Sequence, residues 1–289
     1  TTGAADYAAP ADWHFPTQAD GTGQANGVIW LQHGSMAAKS DYSALATTLA
    51  KQTNSIVVVP TISSLPLTCS DCWINSVAME KAAASMFTGD RAALNASALA
   101  AGFDAELPGK FLLAGHSAGG GFAAAVAGVA VDTGAAAGEL IGVIMYDGVS
   151  LNGTLSGALE SLENADVPIY QIAAPPQMWN LYGLTTDELV GAREGEFGGH
   201  VLVGGSHIDS MLGSNPFVDL VAQLVTQSSP SGNTQAVYTL SSGWINDMYV
   251  GAGPDDPHYG FYGAAAQELI MGGAAAITLN DPSVAVLSE

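Results

Sequence analysis

The feature that most constrains this chain is a short turn motif in its middle. An apolar run at 111–114 stops at Gly115-His116-Ser117-Ala118-Gly119, and an Ala- and Gly-rich helical pattern follows at once. A serine on so sharp a turn has a strained backbone, and a side chain at either flanking glycine would crowd the junction of strand and helix. Short matches arise by chance in a chain with 35 glycines, so the flanking patterns give this one its weight. The motif predicts a buried strand that leads directly into a helix, with Ser117 as the candidate nucleophile.

Apolar segments alternate with helical segments along the chain. We predict strands at 27–32, 55–60, 110–114, 140–146, 167–173 and 201–203. We predict helices at 42–52, 73–87, 91–103, 118–131 and 217–227, a helical region after the loop 228–233, and a short helical stretch at 267–271. This alternation predicts an α/β fold, with a mostly parallel central sheet and helices on both faces.

The length of 289 residues fits one domain, and no segment is a convincing linker. We therefore predict a single domain over residues 1–289. Its N-terminal segment, 1–27, is rich in turn signals and is expected to be extended and loop-like. The C-terminal region, 228–289, matches no motif that assigns it a role. Its five aromatic residues between 244 and 262 are expected in the core rather than in a binding cleft.

The charge of the chain excludes several classes of partner. There are 27 acidic and 6 basic residues, which gives a formal net charge of −21. Nucleic-acid phosphates and anionic membrane surfaces repel such a chain, so neither is an expected partner. No apolar run has the length of a membrane span. A neutral substrate, small or polymeric, fits this charge better than an anionic one, and the sequence does not indicate an oligomeric state.

Cys69 and Cys72 are the only cysteines, and they form a C-x-x-C pattern in a loop. A zinc site needs about four ligands, and no second cysteine pair exists to complete one. A redox dithiol usually opens a helix in a thioredoxin-like unit, which is not evident here. A short structural disulfide is the favoured interpretation, and it indicates an oxidising, extracellular setting. No signal peptide is visible, so we expect any targeting segment to have been removed.

A nucleophilic serine needs a base, and three histidines follow Ser117 in the chain. His207 lies in Gly204-Gly205-Ser206-His207, directly after the predicted strand at 201–203. The carboxyl end of a parallel strand is where a base serving Ser117 is expected. His200 precedes that strand and is expected at the opposite edge of the sheet, and His258 is expected in a surface turn. His207 is therefore the predicted base.

The base needs an acid to orient it, and Asp147 is the predicted one. It directly follows the predicted strand 140–146, again at a carboxyl end. Asp187 and Glu188 lie more than ten residues beyond the next strand. Asp209 is only two positions from His207 and is expected at the surface. The alternative role for Asp147 is to form the turn in Asp-Gly.

The same geometry suggests oxyanion donors and pocket residues. The backbone N–H of Ala118 follows the nucleophile, and a second donor is expected from the loop after strand 27–32. In that loop the N–H of Ser35 is preferred, with Met36 next and also near the pocket. Trp179 and Tyr182 follow a strand at the same edge and are expected to bind substrate. No long amphipathic lid is evident, which favours an open esterase over an interfacially activated lipase.

With Ser117, Asp147 and His207 in this order, residues 28–225 resemble the α/β-hydrolase superfamily. The chain is similar to secreted bacterial esterases, lipases and polyester hydrolases of the cutinase-like and dienelactone-hydrolase-like type. An acid directly after the strand at 140–146 resembles the chlorophyllase-like arrangement and departs from the commoner cutinase-like pattern. The resemblance implies hydrolysis of carboxylic esters through a Ser-His-Asp triad and an acyl-enzyme, with no cofactor and no metal.

Three alternatives remain open on the sequence. The same triad serves amidases and peptidases, whose leaving group needs a proton from His207. A non-catalytic binding protein with this fold typically loses a triad member, whereas this chain keeps a full set. A redox or metal protein would depend on Cys69 and Cys72.

Overall fold

The computed structural model describes residues 3–16, 24–67, 69–134, 138–214, 219, 226, 228–263, 267–269 and 274–280. In these parts of the chain, the strands are β1 (Ala11–His14), β2 (Val28–Gln32), β3 (Ile56–Pro60), β4 (Phe111–His116), β5 (Leu140–Tyr146), β6 (Ile169–Ala173), β7 (Gly199–Leu202), β8 (Gln267–Leu269) and β9 (Ala274–Leu279). The α-helices are α1 (Ser43–Thr53), α2 (Val77–Ser85), α3 (Ala92–Ala100), α4 (Ala118–Asp132), α5 (Leu155–Asn164), α6 (Leu184–Ala192) and α7 (Asn233–Val250). Short 3-10 helices span Ala4–Asp6, Lys39–Tyr42 and Met178–Gly183.

The nine described strands form one sheet in the order β1-β3-β2-β4-β5-β6-β7-β9-β8. The six strands from β3 to β7 in this order are parallel to one another. At the edges, β1 is antiparallel to β3, and β9 is antiparallel to both β7 and β8. This strand order, with its crossover between β3, β2 and β4 and a serine turn after the central strand, is the α/β-hydrolase fold. The predicted fold class is confirmed.

Helices cover both faces of the sheet because the central strands are apolar on both sides. In β2, Trp30 packs into the core shared with α2, α3, α4 and α5. Its neighbours Ile29 and Leu31 point to the opposite face, into the core shared with α1 and α7. Burying each such side chain contributes about 1.5–3 kcal/mol relative to exposure. The two cores fix the sheet, and the sheet fixes where the loops at its carboxyl edge emerge.

Several sequence predictions miss elements of the fold. Residues 11–14, expected to be loop, form β1, and Trp13 is the register partner of Val58. The sequence patterns do not predict helices α5 and α6 or strand β9. The stretch expected to be helical near the C-terminus is a strand at 267–269, because it pairs with β9. The predicted helix at 217–227 lies outside the described residues except for 219 and 226, and how the chain divides into domains stays a prediction.

The C-terminal region contributes α7 and an aromatic cluster behind the sheet. Trp244 and Tyr262 contact the rings of Tyr170 and Phe197, with ring centroids 4.9–5.9 Å apart. The Phe261 ring packs against His200, with centroids 5.5 Å apart. The Trp244 indole N–H donates to the carbonyl of Phe261 at 2.9 Å. Four of the five aromatic residues expected in the core, Trp244, Tyr249, Phe261 and Tyr262, therefore lie in it or pack against it. The prediction is wrong for Tyr259, which is 64% exposed.

The few cations of the chain have varied partners. Lys39 pairs with Asp12, and Arg193 lies 3.6 Å from Glu196. Arg91, by contrast, is buried and donates to the backbone carbonyls of 107 and 108 at 3.0 and 2.8 Å. Most of the 27 acidic residues thus have no cationic partner in the described part of the chain. No helix among the described residues is long and apolar enough to cross a membrane.

Candidate active site

Ser117 occupies the turn between β4 and α4 in a strained conformation. Its φ of 53° and ψ of −128° lie where a non-glycine residue rarely falls, at a cost of about 1–3 kcal/mol. Its N–H donates to the carbonyl of Tyr146 at 3.1 Å, and its carbonyl accepts from the N–H groups of Gly120 and Val149, each at 2.8 Å. These three bonds hold the serine in place, with its side chain part-exposed between buried neighbours.

Two glycines make this turn possible. A Cβ at Gly115 would lie 2.0 Å from the carbonyl oxygen of Gly119. A Cβ at Gly119 would lie 2.4 Å from the carbonyl oxygens of Gln32 and His33. Both contacts are with backbone, which has little room to shift. The start of α4 therefore touches both β4 and the end of β2, as the sequence motif predicts.

His207 and Asp147 meet next to this turn. Because His116 and Tyr146 are register partners in parallel strands, Ser117 and Asp147 are the next residues at neighbouring strand ends. Asp147 Oδ2 lies 2.5 Å from His207 Nδ1, and both side chains are buried. The ring of His207 packs on the ring of His116, with centroids 4.6 Å apart. The structure thus brings the three sequence-predicted residues to one edge of the sheet.

Asn180 is a site residue that sequence reasoning missed. Its side-chain amide donates to Asp147 Oδ1 and Oδ2 at 3.1 and 3.2 Å. Its own Oδ1 accepts from the N–H groups of Gln177 and Gly183 at 2.8 and 3.2 Å. The N–H of Ala174 completes the shell of Asp147 with a donation to Oδ1 at 2.9 Å. No sequence signal connects Asn180 with an aspartate 33 positions away.

The loop after β2 lies directly against Ser117. A Cβ at Gly34 would come within 2.9 Å of the Ser117 Cβ. The N–H of Met36 donates to Ser64 Oγ at 2.8 Å, and the Met36 side chain is 93% exposed. The described residues offer no hydrogen-bond acceptor to the N–H groups of Ser35 and Ala118. Ser35 and Ala118 are therefore better placed than Met36 as oxyanion donors.

Both ring nitrogens of His33, in the same loop, bond to the backbone. Its Nε2 accepts from the N–H of Ile62 at 3.0 Å, so the ring proton is on Nδ1, which donates to the carbonyl of Gly34 at 2.7 Å. Burial lowers the pKa of His33, which keeps the ring neutral.

The other two downstream histidines lie away from Ser117. The prediction that His200 precedes the strand is wrong. His200 lies within β7, opposite Ile172 of β6. Its ring stacks on Trp244, and burial lowers its pKa to about 4. His258 is exposed, 3.7 Å from Asp256.

Asp209 also departs from the sequence prediction, since it is buried rather than at the surface. Only 4% of it is exposed. Its Oδ2 accepts from the N–H of Ser206 at 2.9 Å and from the hydroxyl of Ser229 at 3.0 Å. Burial raises its pKa to about 6. Asp209 thereby anchors the loop that carries His207 to the segment before α7.

Five loops surround Ser117 at the carboxyl edge of the sheet: 34–38, 61–67, 148–154, 174–184 and 203–208. We call them the rim. Within these bounds they contain no Asp, Glu, Lys or Arg, and the exposed Asp71 lies farther along the loop between β3 and α2. They hold ten of the fourteen large apolar side chains exposed in the described chain, namely Met36, Leu65, Leu67, Leu151, Met178, Trp179, Leu181, Tyr182, Leu184 and Val203. The three predicted substrate-binding residues, Met36, Trp179 and Tyr182, are 93%, 42% and 70% exposed on this rim.

Three sizeable cavities of the described chain lie away from the candidate residues. Cavities of about 380, 870 and 970 Å³ occur in the described chain, but none is lined by Ser117, Asp147 or His207. A small cavity of about 10 Å³ lies behind the Asp147–His207 pair and is also lined by Asp209 and Ser210.

The two cysteines form a disulfide, Cys69–Cys72, in the loop between β3 and α2. The described residues contain no group of three or more His, Cys, Asp or Glu side chains that could hold a metal ion.

Comparison with known proteins gives likeness at the level of architecture only. No family model matches the chain, and neither does any curated protein. The crystal structure of DphMB1 is 17% identical over 84% of this chain and 82% of that one, with a TM-score of 0.47. A lipase/esterase from Lactobacillus plantarum is 15% identical over 64% and 79%, with a TM-score of 0.46. The poly(3-hydroxybutyrate) depolymerase LpqC from Bordetella parapertussis is 17% identical over 60% and 65%, with a TM-score of 0.38. The function of this chain is therefore argued from its own residues.

Proposed function

We propose that this protein is a serine hydrolase that cleaves carboxylic ester bonds. The observation that carries the proposal is the buried 2.5 Å contact between Asp147 Oδ2 and His207 Nδ1, next to a serine on a strained strand-to-helix turn. Strain of this kind persists at functional sites because the surrounding structure over-determines it.

The chemistry follows from these positions. Asp147 accepts the Nδ1–H of His207 and so leaves Nε2 with a lone pair. Nε2 takes the proton from the Ser117 hydroxyl as its oxygen attacks the ester carbonyl. The N–H groups of Ala118 and Ser35 stabilise the negative oxygen of the tetrahedral intermediate. Nε2 then protonates the departing alcohol, and water, activated by the same nitrogen, releases the acid from Ser117. No step needs a cofactor.

The rim supports a neutral, apolar substrate. Charged residues make up 11% of the chain, yet the rim loops have none, and their apolar side chains point outward. An exposed apolar patch next to a nucleophile is a binding surface for an apolar ligand. The exposed apolar side chains of the rim suit a long or surface-presented ester, and a polyester is the finer form of the proposal. The disulfide supports an oxidising, extracellular setting.

The first experiment measures hydrolysis of p-nitrophenyl esters from acetate to palmitate. Wild type is compared with Ser117→Ala and with Ser85→Ala, a matched loss of an exposed serine hydroxyl far along the chain in α2. We expect hydrolysis by wild type and Ser85→Ala and none by Ser117→Ala. A folded wild type that hydrolyses no ester, or a Ser117→Ala variant with wild-type rates, would contradict the proposal.

A second experiment addresses the polyester. Trp179→Ser and Tyr182→Ser are assayed on a suspended neutral polyester and on p-nitrophenyl acetate. If the rim binds the polymer, both variants release acid from the suspension several-fold more slowly and keep their rate on the small ester. Equal losses on both substrates would show that these residues serve the small-ester site instead.

A further inference from the structure

A chain of buried hydrogen bonds joins the three loops of the proposed site. The N–H of Gly34, in the loop after β2, donates to the Tyr42 hydroxyl at 3.0 Å. The Tyr42 oxygen lies 2.7 Å from Nδ1 of His116, at the end of β4. The Nε2 of His116 lies 2.6 Å from the carbonyl oxygen of His207, after β7. Tyr42, Gly34 and His116 are all buried.

Each proton in this series of hydrogen bonds has only one possible position. A carbonyl oxygen only accepts, so the His116 Nε2 carries the hydrogen that it donates to His207. Burial lowers the pKa of His116 well below its ordinary value, so the ring is neutral and Nδ1 is an acceptor. The Tyr42 hydroxyl must therefore donate to Nδ1, and burial also raises the pKa of Tyr42, which keeps it protonated. The tyrosine oxygen is then free to accept from Gly34.

These hydrogen bonds connect loops that have to be held at a fixed separation. Gly34 precedes Ser35, whose N–H is the proposed oxyanion donor, and His207 is the proposed base. His116 is the residue before Ser117, and it packs so tightly that a Cβ at Gly34 would lie 2.9 Å from its Nδ1. A shift of either loop would stretch the bonds to Tyr42 and His116, and small misplacements of catalytic groups reduce rates steeply.

We propose that Tyr42 and His116 are positioning residues that hold the oxyanion loop and the base loop in register on either side of Ser117. The proposal rests on the proposed ester hydrolysis for its kinetic consequence. Its structural consequence, a rigid Gly34 amide, is independent of any substrate.

The test is Tyr42→Phe, which removes the hydroxyl and keeps the ring. Gly34 N–H and His116 Nδ1 then lose their partner inside the protein, which costs more than a hydrogen bond exposed to water. The matched control is Tyr249→Phe. Tyr249 is also buried, and its hydroxyl bonds to Ser55 at 2.8 Å, away from the site. Rates are expressed per active site, counted by titration with an organophosphonate, so that a loss of folded protein does not count as slower turnover.

We expect Tyr42→Phe to lower kcat per active site by about tenfold with KM changed less than twofold, because the held groups act on the transition state. We expect Tyr249→Phe to lower the melting temperature and to leave kcat unchanged. Equal falls in kcat for the two variants, or an unchanged kcat in Tyr42→Phe, would overturn the positioning role.

Hydrogen exchange keeps this test separate from the proposed function. In Tyr42→Phe the Gly34 amide is expected to exchange at least tenfold faster than in wild type, while amides of α7 exchange alike. Faster exchange in a protein that hydrolyses no ester would remove the proposed function and retain the structural coupling. Unchanged Gly34 exchange would remove the coupling itself, whatever the activity.

Discussion

Replacing Asp209 by asparagine should remove a loss of stability that grows as the pH rises. The carboxylate is 4% exposed and accepts hydrogen bonds only at Oδ2. Oδ1 is buried without a hydrogen-bond partner among the described residues. Asparagine has nearly the same shape, and its amide oxygen keeps an acceptor for the N–H of Ser206. The substitution removes a buried charge while it preserves the hydrogen bond that anchors the His207 loop.

The size of the effect follows from the pKa of Asp209, which burial raises from 3.8 to about 6. Well below pH 3.8 the carboxyl is protonated in both the folded and the unfolded chain. Between pH 4 and 6 the unfolded chain releases the proton while the folded chain keeps it, so the free energy of unfolding falls as the pH rises. Above pH 6 the loss is complete and amounts to about 3 kcal/mol. Asp209→Asn has no such loss.

The assay is urea unfolding of wild type and Asp209→Asn from pH 4 to 8, with Asp104→Asn as the control, since Asp104 is exposed. The free energy of unfolding of Asp209→Asn should gain on wild type by about 2–3 kcal/mol across this range, or about 5 °C in melting temperature. The control should gain almost nothing. Parallel curves for wild type and Asp209→Asn would show that Asp209 is ionised in the fold without cost, and the reasoning from burial would be wrong.

Three further predictions concern the turn, the acid and the disulfide. Asn180→Ala should lower kcat on p-nitrophenyl butyrate by about tenfold, because Asp147 loses both hydrogen bonds from Asn180 and keeps the one from the Ala174 N–H. An unchanged kcat would make Asn180 a residue of the loop alone. Gly119→Ala should yield no folded protein by circular dichroism, because the alanine Cβ would lie 2.4 Å from two backbone carbonyl oxygens. A folded, active variant would refute that packing. Reducing Cys69–Cys72 should lower the free energy of unfolding by about 2 kcal/mol. Hydrolysis of a soluble ester at 25 °C should be unchanged. Activity that disappears on reduction while the protein stays folded would place this loop in the site.

The positions of Ser117, Asp147 and His207 were accessible from sequence because each follows a recognisable apolar strand. Parallel strands end at one edge, so three strand ends are enough to bring three side chains together. Strand β9 was missed because its Ala274–Leu279 run begins with three alanines, which carry no strand signal. Helix α6 was missed because its apolar pattern is weak.

The supporting residues were beyond sequence reasoning for a different reason. Asn180, Asp209 and Tyr42 act through hydrogen bonds to residues or segments that lie far away in the chain, and no periodicity marks such bonds. Asp209 also shows how a charged residue misleads: its carboxylate predicts a surface position, and only the donors of Ser206 and Ser229 make its burial possible. Patterns in sequence report strands and their ends, whereas the polar network behind them depends on tertiary packing.

The scarcity of cations has a consequence for the medium in which this protein is most stable. With a net charge of −21 and two carboxylate–cation pairs between Lys or Arg and Asp or Glu in the described chain, the acidic residues mainly repel one another. Dissolved ions shorten the range of that repulsion from about 30 Å at 0.01 M to about 3 Å at 1 M ionic strength. Added salt therefore weakens the repulsion between carboxylates in the folded state and stabilises it. In proteins that surface ion pairs stabilise, added salt has the opposite effect. We therefore expect the free energy of unfolding of this protein to be higher in concentrated salt than at low ionic strength.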